Sequence, residues 1–204
     1  MPHIPEKPMA EPDLLGFEAA KNAPCGDTYD TRKWLYVPPF YAEYRYVLGT
    51  AGSKPLLCVG LNPSTAGPDK LDNTLKSVER VALFNGFDSF LMMNLYAQRA
   101  TRPGDMDKER CDFLHRENLR AFRFLLHHTQ TVWAAWGAVM ATRGYLFACV
   151  RDFGAVAEEA SARWVTAGNR SMKGHPHHPL YLRGDSALEP FDLKLYLWDM
   201  QTKP

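Results

Sequence analysis

Apolar runs of strand length alternate along the chain with stretches whose apolar residues recur every three to four positions, the pattern of a parallel sheet covered by helices on both faces. Residues 56–61, 89–95, 131–136 and 163–167 read as buried strands, each short, rich in apolar and β-branched side chains and bounded by polar or glycine positions. Before them, the aromatic-rich residues 41–49 pair with 34–37 as an edge hairpin, because Pro38 and Pro39 lack the ladder donors that a central strand needs. Residues 74–85 place Leu75, Val78, Ala82 and Asn85 on one helical stripe, with Asp72 or Asn73 as cap and Gly86 as stop. A second helix over 106–128 has the apolar face Phe113, Leu114, Leu119, Phe122 and Leu126, and a third covers 137–150. The expected fold is a single three-layer α/β/α domain over residues 25–204 with a central, mostly parallel four-stranded sheet. A proline-rich arm, residues 1–24, precedes it in extended form.

In an open sheet of this kind the ligand site lies at the carboxyl ends of the strands. Three strand ends carry polar residues that a core would not choose: Asn62 after the first strand, Asn94 at the end of the second, and the loop 174–180, Gly-His-Pro-His-His-Pro-Leu, after the last. Asn62 before Pro63 either closes a turn or works with Ser64, Thr65 and Gly67 as a polar loop that holds phosphate or water. The loop is not a P-loop, because the glycine spacing and the Lys-Ser/Thr pair are absent. Asn94 is either a structural amide tied to backbone or a reader of a nucleobase edge, since it offers one acceptor and two donors. Arg99 and Arg102, just beyond it, suit a phosphate or a bulky polar substituent. His175, His177 and His178 form a solvated loop, a metal site, or a recognition loop stiffened by Pro176 and Pro179. No Cys, Asp or further His is spaced to complete a metal site, so neither metal nor other cofactor is expected.

Composition narrows the picture. A chain of 204 residues with 46% hydrophobic content can bury a sizeable core as one domain. Its longest apolar runs fall far short of the roughly 20 residues of a membrane span, and the start lacks a signal peptide's apolar core and cleavage site, so no membrane partner is expected. Cys25, Cys58, Cys111 and Cys149 show no CxxC pair, which disfavours a zinc ribbon or disulfide scaffold and fits a reducing cytoplasm. A net charge of +1 excludes a polycation, yet residues 161–184 hold Arg163, Arg170, Lys173 and Arg183 with no acid among them. That face can meet phosphate.

The residues also carry a resemblance. The order GLNPS, a strand ending FLMMN, VWAAWG and then GHPHHPL, spanning residues 56–182, resembles the plan of the uracil-DNA glycosylase superfamily. Its motifs read GQDPY or GINPG, then LLLN, a strand ending in WG, and HPSPL. More closely, the chain from Pro24 resembles the bacterial and phage family DUF1643 in GLNPSTA, NLYAQRAT, AAWG and GHPHHPLYL. The superfamily resemblance implies a uracil-DNA glycosylase-like fold, with Asn62 positioning the attacking water, Asn94 reading an extruded base and His175 stabilising the charge that leaves on it. Leu180 or Tyr181 would sit near the wedge that fills the vacated stack. The histidine loop is one residue longer than HPSPL, so the working group is His175 or His177. Tyr96, Phe40 and Tyr44 are candidates for the aromatic that stacks on the base.

An amide at position 62 can orient water but cannot take its proton. The implied reaction therefore leans on departure of the base, aided by hydrogen bonds each worth about 2.7–4 kcal/mol by analogy with an oxyanion-hole donor. The expectation is a monofunctional, monomeric DNA glycosylase that leaves an abasic site in single- or double-stranded DNA. Asn62 and His175 are assigned to catalysis and Asn94, Tyr96 and His177 to the base. Ser64, Thr65, Arg99, Arg102, Arg170, Lys173, His178 and Leu180 are assigned to DNA or phosphate. So polar a set of neighbours suits a modified pyrimidine, such as a hydroxymethylated or glycosylated base of phage DNA, and hence a role in defence. Two rival readings stand beside it: hydrolysis or transfer on free nucleosides or nucleotides, and a module that binds a modified base without cutting.

Overall fold

A computed structural model describes residues 11–25 and 29–202; residues 1–10 of the expected arm lie outside them. Among the described residues the sheet has seven strands, in the order β1-β2-β4-β3-β5-β6-β7. Its centre is formed by the four strands read from the sequence: β3 (Pro55–Gly60), β4 (Ser89–Asn94), β5 (Thr131–Ala134) and β6 (Arg163–Ala167). They run parallel in the order β4-β3-β5-β6. The expected four-stranded sheet is thus extended by three further strands, each joined to its inner neighbour by an antiparallel pairing. β1 (Trp34–Val37) and β2 (Val47–Thr50) form the hairpin beyond β4, with Trp34 opposite Thr50. β7 (Leu188–Pro190) pairs with β6 at the other edge.

Alternation along the strands sorts the core into two layers. Leu56, Cys58, Phe90, Met92 and Trp133 face α2 (Asn73–Phe84), meeting Leu75, Val78, Val81 and Ala82. Leu57, Val59, Leu91, Met93 and Val132 face the opposite way, against α3 (Asp112–Leu126), α4 (Tyr145–Glu159) and α5 (Leu193–Thr202). The arrangement is α/β/α. Asp72 caps α2, accepting the Leu75 N–H at 2.9 Å.

Differences from the expected elements have local causes. α3 starts at Asp112 rather than near 106, because Arg143 occupies the carbonyls of Gly104, Met106 and Asp107 and holds that segment as a loop. The helix expected at 137–150 is shifted to Tyr145–Glu159, after a 3-10 segment at Ala138–Thr142. The described end of the arm does not extend. Its short helix α1 (Phe17–Lys21) docks on α3 through the Phe17 N–H, which donates to buried Glu117 at 2.9 Å, and Leu14, Phe17 and Ala20 join the core. Among the described residues no helix is long and apolar enough to cross a membrane.

A candidate functional cleft at the strand ends

A cleft of about 620 Å³ opens at the carboxyl ends of β3, β4 and β5, on the α2 side of the sheet. Clefts of about 590 and 560 Å³ lie elsewhere, so volume does not single it out. Position does: the chain leaves β3 toward β4 on one side and β5 toward β6 on the other, the switch point at which open α/β sheets hold ligands. Gly60, Asn62, Ser64, Met92, Asn94, Trp136, Gly137, His177, His178, Leu180 and Tyr181 line it, together with the amino end of α2 from Asp72 to Leu75. The three polar strand ends picked out in the sequence therefore converge.

Each has a defined state. Asn62 is half-buried, and its amide nitrogen donates to the carbonyls of Ala100 at 2.7 Å and Pro63 at 3.0 Å. The turn-closing reading of this residue holds, and Oδ1 remains to accept from a water. Asn94 is 1% exposed, and its Nδ2 has no hydrogen-bond partner. Its side chain fits because residue 60 is glycine: a Cβ there would lie 2.5 Å from Met92 Cε and 2.8 Å from Asn94 Oδ1. A buried amide donor without a partner is uncommon and costs about 1–3 kcal/mol.

The histidine loop divides its three rings. His175 does not line the cleft; it is buried, with Nδ1 2.9 Å from the Tyr196 hydroxyl and its ring against Phe147 and Tyr196. Burial, with the charge of Lys173, lowers its pKa. His177 lines the cleft and donates from Nδ1 to the Asn169 carbonyl at 2.9 Å, so the neutral ring has only an acceptor at Nε2. His178 has the opposite tautomer: Nδ1 accepts the Leu180 N–H at 3.3 Å, which puts the proton of the neutral ring on Nε2. Burial holds its pKa below the ordinary value and keeps it neutral. Gly137, at φ 73°, lets the chain pass beneath this ring, where a Cβ would meet His178 Cβ at 3.0 Å.

Most of the other sequence-assigned residues fall elsewhere. Tyr96 is fully buried, its hydroxyl accepting the Cys111 N–H and its ring beside Tyr145, away from the cleft. Tyr44 is likewise buried, and exposed Phe40 lies outside the lining. The aromatics at the cleft are Trp136 and Tyr181. Arg99 is fully buried, donating to the carbonyls of Ser64 and Ala66 and to the Tyr36 hydroxyl, so it holds the loop after Asn62 from beneath and is not free to meet DNA. Thr65 and Arg102 are exposed outside the lining, while Ser64 and Leu180 are part of it. Arg170 and Lys173 are exposed on the loop after β6 that also brings Ser171 to the cleft.

Sequence reasoning missed Arg45, which lines the cleft while 1% exposed. Its signal was present: Tyr44 and Tyr46 enter the α3-side core, so alternation turns Arg45 to the cleft side. Among the described residues, no group of three His, Cys, Asp or Glu side chains is placed to hold a metal ion.

Comparison with known proteins gives one match. The family model for a protein of unknown function, DUF1643, covers residues 45–180, from Arg45 through the histidine loop. No curated protein and no solved structure matches the chain.

Proposed function

The chain belongs to the DUF1643 family, and we propose that this member is a DNA glycosylase with a uracil-DNA glycosylase-like α/β/α fold that hydrolyses the N-glycosidic bond of a flipped, modified pyrimidine. The observation that carries the reading is the unpartnered Nδ2 of Asn94 at the floor of the cleft, a donor the fold leaves for an acceptor on a ligand. A pyrimidine ring carbonyl supplies that acceptor. The neutral Nε2–H of His178 supplies a second donor at the same cleft, and this supports moving the leaving-group role from His175 to His178.

The chemistry follows from which atoms are uncommitted. As the bond from C1′ to the base nitrogen breaks, its electron pair goes to the base, and donors from Asn94 and His178 stabilise the charge that collects on the base oxygens. Water held at Asn62 Oδ1 then adds to the sugar cation. Asp72, the one carboxylate among the lining residues, is available to take its proton. Leu180 and Tyr181, 42% and 75% exposed at the rim, suit the space left in the stack, and Arg170 and Lys173 suit the flanking phosphates. A base foreign to the host would make the reaction a defence against phage DNA.

The test is incubation with oligonucleotides bearing uracil, mismatches or phage-type pyrimidines, followed by alkali. Breaks at the base position in at least one substrate, lost in His178→Ala, support the reading. Turnover of free nucleosides alone, or retention of modified DNA without breaks, would replace it by a nucleoside hydrolase or a binding module.

A further inference from the structure

We infer that the floor of the cleft selects a base carrying an anionic oxygen substituent, a carboxylate being the simplest, and that Arg45 is the residue that selects it. The inference deepens the base-excision reading and rests on it.

Arg45 lines the cleft at 1% exposure. Its Nη1 donates to the Ala66 carbonyl at 3.0 Å, while Nε is buried without a partner. Arg99 lies near enough that its charge, after burial, helps push the Arg45 pKa down to about 9, and Arg99 Nε is unpartnered too. Neither guanidinium forms an ion pair among the described residues. Both remain protonated at neutral pH, and buried charges are ordinarily paired, because an uncompensated one is expensive to desolvate.

The remaining surroundings add to the same potential. The amino end of the 12-residue helix α2 borders the cleft from Asp72 to Leu75, so the positive end of its dipole faces the same space. Against two guanidiniums and a helix terminus stands one carboxylate, Asp72, with Oδ1 engaged by the Leu75 N–H. The floor is positive. It is also deep: Arg45 and Asn94 are each 1% exposed, whereas Val139, Leu180 and Tyr181 at the mouth are 49%, 42% and 75% exposed. A phosphodiester stays with the strand at the mouth, so the oxyanion that reaches Arg45 belongs to the base. Asn94 then takes a ring carbonyl and Arg45 the charged substituent, and about 620 Å³ leaves room for that substituent beside the ring.

The experiment is titration calorimetry of the full chain with 5-carboxyuracil, thymine and inorganic phosphate. Thymine differs from the first only in a methyl group where the carboxylate stands. The expected result is binding of 5-carboxyuracil at least about tenfold tighter than thymine, with the ratio falling to near one in Arg45→Met and rising in Asp72→Asn, which keeps a capping side chain. Equal binding of the two bases to the wild-type protein overturns the inference and leaves base excision standing. Phosphate binding with neither base retained, or no binding at all, overturns the selection of a base. Where Arg45→Met fails to fold, the wild-type ratio and its rise in Asp72→Asn decide.

Discussion

Replacing Asn94 by leucine should raise stability and lower activity together, because the two properties make opposite demands on the same amide. At 1% exposure with Nδ2 unpartnered, Asn94 carries the cost of a buried unsatisfied donor, about 1–3 kcal/mol. Leucine has the same branched shape at the γ position and no donor to strand, so the folded state should gain about that amount, less any local refitting. In a protein of this size each kcal/mol moves Tm by about 2–4 °C, which gives an upward shift of roughly 2–12 °C. Under the proposed reaction the excision rate should move the other way: loss of a donor to the developing anion would cost about 2.7–4 kcal/mol, or a factor of roughly 10²–10³ in kcat. Urea unfolding with an unchanged m-value reads the first, and alkali-revealed strand breaks read the second. Destabilisation by about 1 kcal/mol or more would mean that Asn94 is an ordinary satisfied core amide. A stable variant with undiminished excision would remove the amide from the chemistry.

Three further outcomes are expected. Gly60→Ala should cost about 1–3 kcal/mol in stability and impair excision in parallel with Asn94 variants, because the new Cβ meets Asn94 Oδ1 at 2.8 Å and must push the amide aside; full activity in a folded Gly60→Ala protein would contradict the packing argument. Buried His115 and His175 both have pKa values lowered, first by burial and then by Arg110 and Lys173 respectively, so below about pH 6.5 the unfolded chain binds protons that the folded one does not. Stability should be full above that pH and decline as it falls toward the lowered folded values, by at most about 1.4 kcal/mol per pH unit per ring, as urea unfolding at stepped pH will read. Converting Arg170 and Lys173 together to alanine should make the slope of log K against log salt shallower by about 1.8 for duplex DNA, if each meets one phosphate; an unchanged slope removes both residues from the proposed DNA contacts.

The parallel centre was legible because burial on both faces makes β3, β4 and β5 near-continuous apolar runs, and the loops at their ends then had to converge. The edge strand β7, Leu-Glu-Pro, was not legible: only Leu188 is even partly buried, so no period marks it as a strand. Position along the histidine loop was equally opaque. Adjacent prolines fix its stiffness but not which ring turns inward, and that choice is settled by the Tyr196 hydroxyl on α5, which takes His175, and by backbone groups at Asn169 and Leu180, which hold His177 and His178. Arg99 misled for a related reason. An arginine beyond a strand end suggests an exposed cation, but the carbonyls of the loop after Asn62 needed donors, and a guanidinium supplies several from one side chain.

The same bookkeeping of donors and acceptors explains why an amide, and not a carboxylate, suits position 62. The carbonyls of Pro63 and Ala100 converge there, and only an N–H can satisfy both; an aspartate would set a charge against two carbonyl oxygens. Binding its nitrogen to backbone fixes the ring of the turn and leaves Oδ1 as the acceptor. At the floor the logic is inverted, since Asn94 and Arg45 each leave a buried donor unpartnered. The cleft thus separates its hydrogen-bonding capacity, with an acceptor beside the turn and donors beneath. Water approaching a sugar presents hydrogens, whereas a departing pyrimidine collects charge on oxygen. Those two needs match the two kinds of uncommitted atom, and a nucleophile-activating carboxylate at position 62 would have disrupted the turn that holds them apart.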